Sequence, residues 1–184
     1  MHWNLPNTLT WTRIAAIPLI VLLFYMPYPW ADPAAGLLFA AAGVTDSLDG
    51  YFARRLGQIS RLGAFLDPVA DKLIVVVALV LLVSRDPRAL IVLTAAVIIG
   101  REITISALRE WMAEIGARRK VAVSQLGKYK TILQIVGLSM MLYRVPLLGL
   151  ATYRCGVALT EVAAAATLVS MAAYLRAAWP ELKR

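Results

Sequence analysis

The stretch Leu62-Gly-Ala-Phe-Leu-Asp-Pro-Val-Ala-Asp-Lys-Leu-Ile-Val-Val-Val-Ala-Leu-Val-Leu-Leu-Val83 combines two kinds of sequence that rarely share one helix. From Leu73 onward it is unbroken apolar, and as a helix the whole is long enough to cross a hydrocarbon core of roughly 30 Å. Yet it opens with Asp67 and Asp71, and an acidic side chain inside such a helix costs about 2.5–3.5 kcal/mol on insertion scales. The apolar run argues for a membrane span. The aspartates argue that one end of the span has work to do.

Further runs of the same kind flank it. Leu9 to Tyr28 and Ala34 to Phe52 precede it, and Ala89 to Leu108, Leu126 to Leu142 and Gly149 to Leu175 follow, separated by short polar or proline-containing turns. Hydrophobic residues make up 60% of the 184 and charged ones 16%, against about 45–50% and 25% in soluble domains. The runs lack strand-like alternation, and a bilayer admits only helices or closed barrels because lipid cannot satisfy unpaired backbone groups. The expected fold is therefore all-α: a polytopic membrane protein with six transmembrane helices in one bundle, a single domain over residues 1–184. The first run lacks a preceding basic cluster and a following cleavage site, so it reads as a retained span. Cys155 is the only cysteine, which excludes an internal disulfide.

The net charge of +8 raises the question of nucleic acid, and the placement of the charges answers it. Arg54, Arg55, Arg61, Arg118, Arg119, Lys120, Lys128, Lys130, Lys183 and Arg184 fall in alternate turns and at the C-terminus. The intervening turns hold only Arg85, Arg88, Arg144 and Arg154, with Asp32 and Asp86 among them. This is the positive-inside asymmetry of a membrane protein with both termini in the cytoplasm, and no nucleic-acid partner is needed to explain it. Arg118, Arg119 and Lys120 read as an anchor to anionic membrane lipids, worth about 1 kcal/mol per charge. Trp3, Trp11, Tyr28 and Trp30 read as interfacial anchors.

Asp46 and Asp49 lie three apart near the end of the second run, Asp67 and Asp71 four apart near the start of the third, so each pair shares a helix face. The turn between the runs brings both pairs to one depth. Four converging carboxylates repel one another unless cations neutralise them, and all-oxygen ligation selects hard divalent ions such as Mg²⁺ or Mn²⁺. The competing reading, aspartates that cap helix ends or pair with Arg54, Arg55 and Arg61, accounts for one of the four more easily than for all. Gly50 and Gly63 leave room for a ligand beside the carboxylates, although small residues also serve close helix packing.

From Asp46 to Asp71 the pattern is D-x-x-D-G-x-x-A-R, eight residues, then G-x-x-x-D-x-x-x-D, and it resembles the signature of the CDP-alcohol phosphotransferase family at Asp46, Asp49, Gly50, Ala53, Arg54, Gly63, Asp67 and Asp71. With each residue type at roughly 5–7% usage, eight matches arise by chance on the order of 10⁻¹⁰ per starting point. Six spans with the motif bridging the second and third is also the arrangement typical of that family. The stretches Gly63 to Lys72, Arg101 to Trp111 and Gly127 to Thr131 further resemble bacterial members that use a phosphorylated acceptor.

The resemblance implies displacement of CMP from CDP-diacylglycerol by the 1-hydroxyl of sn-glycerol 3-phosphate, at the cytoplasmic face of the bacterial inner membrane, in an enzyme that is usually a homodimer. It implies metal ligation by Asp46, Asp49, Asp67 and Asp71, with Asp71 matching the position of the general base; a purely ligating Asp71 stays open. Gly50, Arg54, Ser60 and Gly63, with Asn7 and Thr10, match positions that contact CDP-diacylglycerol, although capping the first helix is the commoner use of residues such as Asn7 and Thr10. Arg101 and Arg109, two helical turns apart, and Lys128 match positions that bind the acceptor phosphate. The bland alternatives pair Arg109 with Glu110 or Glu114, and Arg101 with Glu102 or Asp71. Within the family, inositol phosphate or serine is the rival acceptor, and the three cations favour a phosphorylated one. Outside it, an ion-coupled transporter is the rival class, but it would spread ionisable groups across the membrane, whereas these gather toward one face.

Overall fold

The computed structural model describes residues 5–56, 61–117, 125–147 and 149–183, with side chains left out at 5–9, 46–56, 61–65, 125–128 and 182. The described residues form six helices: α1 (Leu5–Tyr25), α2 (Ala31–Leu56), α3 (Arg61–Arg85), α4 (Ala89–Glu114), α5 (Gln125–Tyr143) and α6 (Thr152–Leu182). No strand occurs among them beyond an isolated bridge between Leu147 and Leu150. Two helices, α4 and α6, are long and apolar enough over their described residues to cross a membrane.

The helix boundaries depart from the apolar runs for identifiable reasons. α1 stops at Tyr25 rather than Tyr28, because Pro27 and Pro29 lack N–H donors and Pro27 disfavours a helical Met26. α2 begins at Ala31 rather than Ala34: Pro33 sits in the first turn, where its missing donor costs nothing, and Asp32 complements the helix dipole there. α4 continues past Leu108 to Glu114. Ile105, Leu108 and Met112 form a stripe buried against Tyr174 and Ala178 of α6, and Gly116, at φ 73°, closes the helix. There the Ala117 N–H donates to Met112 O at 2.8 Å and the Gly116 N–H to Ala113 O at 3.1 Å, the two bonds of a Schellman cap. α6 starts at Thr152 rather than Gly149, since Gly149 takes φ 79° in the turn before it.

The main core draws on all six helices, α6 through Ala164, with Ile20, Phe39, Ala78, Ile98, Leu138 and Leu142 almost fully buried. α5 and α6 meet through glycines: a Cβ on Gly156 would stand 2.7 Å from the Gly137 carbonyl oxygen. Gly36 of α2 likewise lies against the α5 backbone, where a Cβ would come within 2.7 Å of Ser139 O. Small residues thus set helix spacing. Outward-facing Leu22, Leu37, Val80, Leu93, Ile103, Ile132, Val162 and Val169 are exposed, so the exterior is apolar as well as the core.

At one end of the bundle, the short turns are tied by charge. Arg85 bonds Asp32 at 2.6 Å and lies 3.7 Å over the Phe24 ring. Arg88 grips both oxygens of Asp86, at 2.8 and 2.7 Å, and the Tyr153 hydroxyl donates to the same carboxylate. Asp67 and Asp71 lie near the other end of α3, about 27 Å and about 21 Å from Arg85 at the helical rise per residue.

Candidate active site

A cavity of about 690 Å³ opens among α1 to α5, within the usual size range of small-molecule sites. Asp67 and Asp71 line one part of it and Arg101 and Arg109 another, with Arg13, Lys72, Glu102, Glu110 and Gln134 among the remaining wall residues.

The carboxylate end is built by α1 and α3. Asp67 and Asp71 are one turn apart on α3; Thr10 and Arg13, one turn apart on α1, meet them in the same order. The Thr10 hydroxyl donates to Asp67 Oδ1, and the Arg13 guanidinium to Asp71 Oδ1. Thr10 lies inside α1, which begins at Leu5, so it does not cap that helix; it serves Asp67 instead. Asp71 pairs with Arg13 and not with Arg101. The Asp71 side chain keeps 39% of its surface exposed while that of Arg13 keeps 2%. Arg13 was not among the residues singled out from the sequence, yet a charge within an apolar run, three positions after Thr10, is the signal that would have found it.

Asp46, Asp49, Gly50 and Arg54 belong to α2, Gly63 to α3, Asn7 to α1 and Lys128 to α5, but their side chains lie outside the described ones, and Ser60 lies outside the described residues altogether. Among the described residues no three potential ligands of the His, Cys, Asp and Glu types come together. The two described aspartates offer hard oxygen donors to the cavity, a donor set that fits Mg²⁺ or Mn²⁺.

The cationic end is built by α4, α5 and α6. Arg101 Nη1 bonds Glu102 Oε1 at 2.6 Å, which bears out Glu102 as its partner. Arg109 turns away from Glu110 and Glu114: its Nη2 donates to the Tyr174 hydroxyl at 2.9 Å and its guanidinium lies 5.1 Å from that ring centre. The described lysine here is Lys130, which is 4% exposed beside the cavity wall, with Nζ 3.9 Å from Glu102 Oε1. Its ammonium is within electrostatic reach of Arg101, Glu102 and Arg109. Arg101 Nε, Arg109 Nε and Lys130 Nζ are buried donors with no hydrogen-bond partner among the described residues. Buried donors are almost always satisfied, so three together mark a place built for an anion.

An all-helical chain with paired carboxylates and unsatisfied guanidinium donors on one cavity is suited to handling phosphate esters. Residues 3–175 match the CDP-alcohol phosphatidyltransferase family, and the chain belongs to that family of enzymes. It is 50% identical over 182 residues to the CDP-diacylglycerol–glycerol-3-phosphate 3-phosphatidyltransferase of Escherichia coli strain K12, a match covering 99% of this chain and 98% of the relative. The proteins of the same name from Shigella sonnei strain Ss046 and Shigella boydii serotype 4 strain Sb227 match with the same identity and coverage.

Proposed function

We propose that this chain transfers the phosphatidyl group of CDP-diacylglycerol to sn-glycerol 3-phosphate, giving phosphatidylglycerophosphate and CMP. One observation carries the reading: a single cavity joins Asp67 and Asp71 to Arg101 and Arg109, so a donor diphosphate and an acceptor phosphate have separate places within reach of each other. The acceptor hydroxyl oxygen bonds to the phosphatidyl phosphorus, the bond from that phosphorus to the CMP oxygen breaks, and the hydroxyl proton passes to Asp71. Asp71 is exposed enough to receive it. Arg101 and Arg109 hold the acceptor phosphate, with Lys130, and Lys128 on the same helix, adding positive charge. Arg54 pairs with the CDP phosphates, while Asn7, Gly50, Ser60 and Gly63 line the donor's place and Thr10 acts there through Asp67. A divalent ion, Mg²⁺ or Mn²⁺, held by Asp46, Asp49, Asp67 and Asp71 would neutralise the diphosphate and the departing CMP.

The exposed large apolar side chains on every one of the six helices support a lipid surrounding, since extensive exposed apolar surface is rare on proteins in water. In this reading all six helices span the bacterial cytoplasmic membrane, both termini and the cavity face the cytoplasm, and the acyl chains of the donor stay in the bilayer. The homodimer implied by family resemblance is part of the same reading.

The test is CMP release by the purified protein in detergent with Mg²⁺ or Mn²⁺, comparing glycerol 3-phosphate, inositol phosphate and serine. Release with glycerol 3-phosphate, abolished by chelation, is expected. Release with another acceptor only would replace the substrate and keep the chemistry; no metal-dependent release with any acceptor would overturn the reading.

A further inference from the structure

Glu102 is an unexpected neighbour for a phosphate. It lines the cavity, takes a 2.6 Å bond from Arg101, and lies 3.9 Å from a lysine whose ammonium is otherwise without a hydrogen-bond partner among the described residues. A carboxylate in an anion pocket weakens anion binding unless the charge it removes is charge the pocket must not have. Among the described side chains there, Arg101, Arg109 and Lys130 are cationic, Lys128 adds to them in the proposed reading, and Glu102 is the carboxylate set among them. A phosphate monoester above its second pKa of about 6 brings only two negative charges, so cations beyond two are in excess. Glu110, also on the cavity, is exposed and screened by solvent, so it changes this balance little.

We propose that Glu102 is a specificity-determining residue that lowers the positive charge of the acceptor pocket toward what a dianionic phosphate monoester can neutralise and holds Arg101 in place to receive it. The proposal rests on the reading of Arg101 and Arg109 as the acceptor-phosphate end. Without Glu102 the pocket would carry one more positive charge and retain any small anion too well, at the expense of turnover.

The experiment uses sulfate, a dianion that cannot act as acceptor, as an inhibitor of CMP release at pH 7. A unit charge about 6 Å from a dianion changes its binding roughly tenfold even at the dielectric constant of water. Glu102→Gln, which keeps the shape and the acceptor for Arg101, is expected to strengthen sulfate inhibition about tenfold and to lower kcat. Glu102→Asp should stay near the parent value, and the charge-compensated pair Glu102→Gln with Lys130→Met should return toward it. An unchanged or weaker sulfate effect in Glu102→Gln, or no restoration in the pair, would overturn the proposal. If Glu102→Gln does not fold, Lys130→Met alone must weaken sulfate inhibition about tenfold, and an unchanged value overturns it equally. Arg101→Gln separates the two levels. If it leaves both the KM for glycerol 3-phosphate and sulfate inhibition unchanged, the pocket reading itself fails; if it raises that KM and weakens sulfate inhibition while Glu102→Gln is silent, only the role of Glu102 fails.

Discussion

Arg13 is the residue whose importance rests most on contact. Only 3% exposed and directed at Asp71, it fixes one carboxylate of the cavity from a different helix, while Thr10 fixes the other. Arg13→Ala is expected to lower kcat at least tenfold with little change in the KM for acceptor, measured by CMP release. Breaking a buried pair costs about 3–5 kcal/mol, and the exposure of Asp71 places this one below that range. Asp71→Asn removes the proposed proton acceptor, and a loss of about 10²–10⁴ in kcat is expected with folding intact by thermal melting. A variant with near-parental turnover would leave Asp71 as no more than a ligand.

Among the elements, the α5–α6 pair depends most on what is missing. Gly137 and Gly156 let the two backbones touch, and the atom that a side chain on Gly156 would strike is a carbonyl oxygen that cannot rotate away. Gly156→Val should therefore destabilise the protein by about 1–3 kcal/mol, seen as a lower Tm in detergent. Gly100, which has open space around its Cα, should accept alanine with no such loss. The α3–α4 turn supplies a pH-dependent contribution. The Arg88 guanidinium, and then the Tyr153 hydroxyl, hold the Asp86 carboxyl well below the usual carboxylate range. A depressed folded-state pKa contributes stability that is present above the unfolded value of about 3.9 and lost as pH falls below it. The difference in Tm between the parent and Asp86→Asn should accordingly be largest at pH 6 and shrink toward pH 3.

For the molecule as a whole, the separation of its ends is the governing feature. The ion pairs of Asp32, Asp86 and their arginines occupy one end, and the cavity with its carboxylates and guanidinium groups lies toward the other. If the cavity faces the cytoplasm as proposed, a fluorescent reporter that folds only there should be bright when fused after Arg184. An alkaline phosphatase that is active only outside should work when inserted after Asp86. The reverse pattern would invert the orientation and strand a soluble acceptor on the wrong side.

Much of this was legible in the order of the residues. Long apolar runs interrupted by short polar turns leave a chain few choices besides antiparallel helices, and the spacing of Asp67 and Asp71 places them on one helix face wherever that helix packs. Local periodicity and composition depend on neighbours in the chain, so they can be read from it. The partners could not be. Arg13 reaches Asp71 across 58 positions and Arg109 reaches Tyr174 across 65, and Lys130 is buried beside Glu102 although it sits in a basic segment that reads as membrane surface. Those pairings follow from which faces the helices turn toward one another, and that is set by close approach at glycines and by core packing, neither of which leaves a periodic trace.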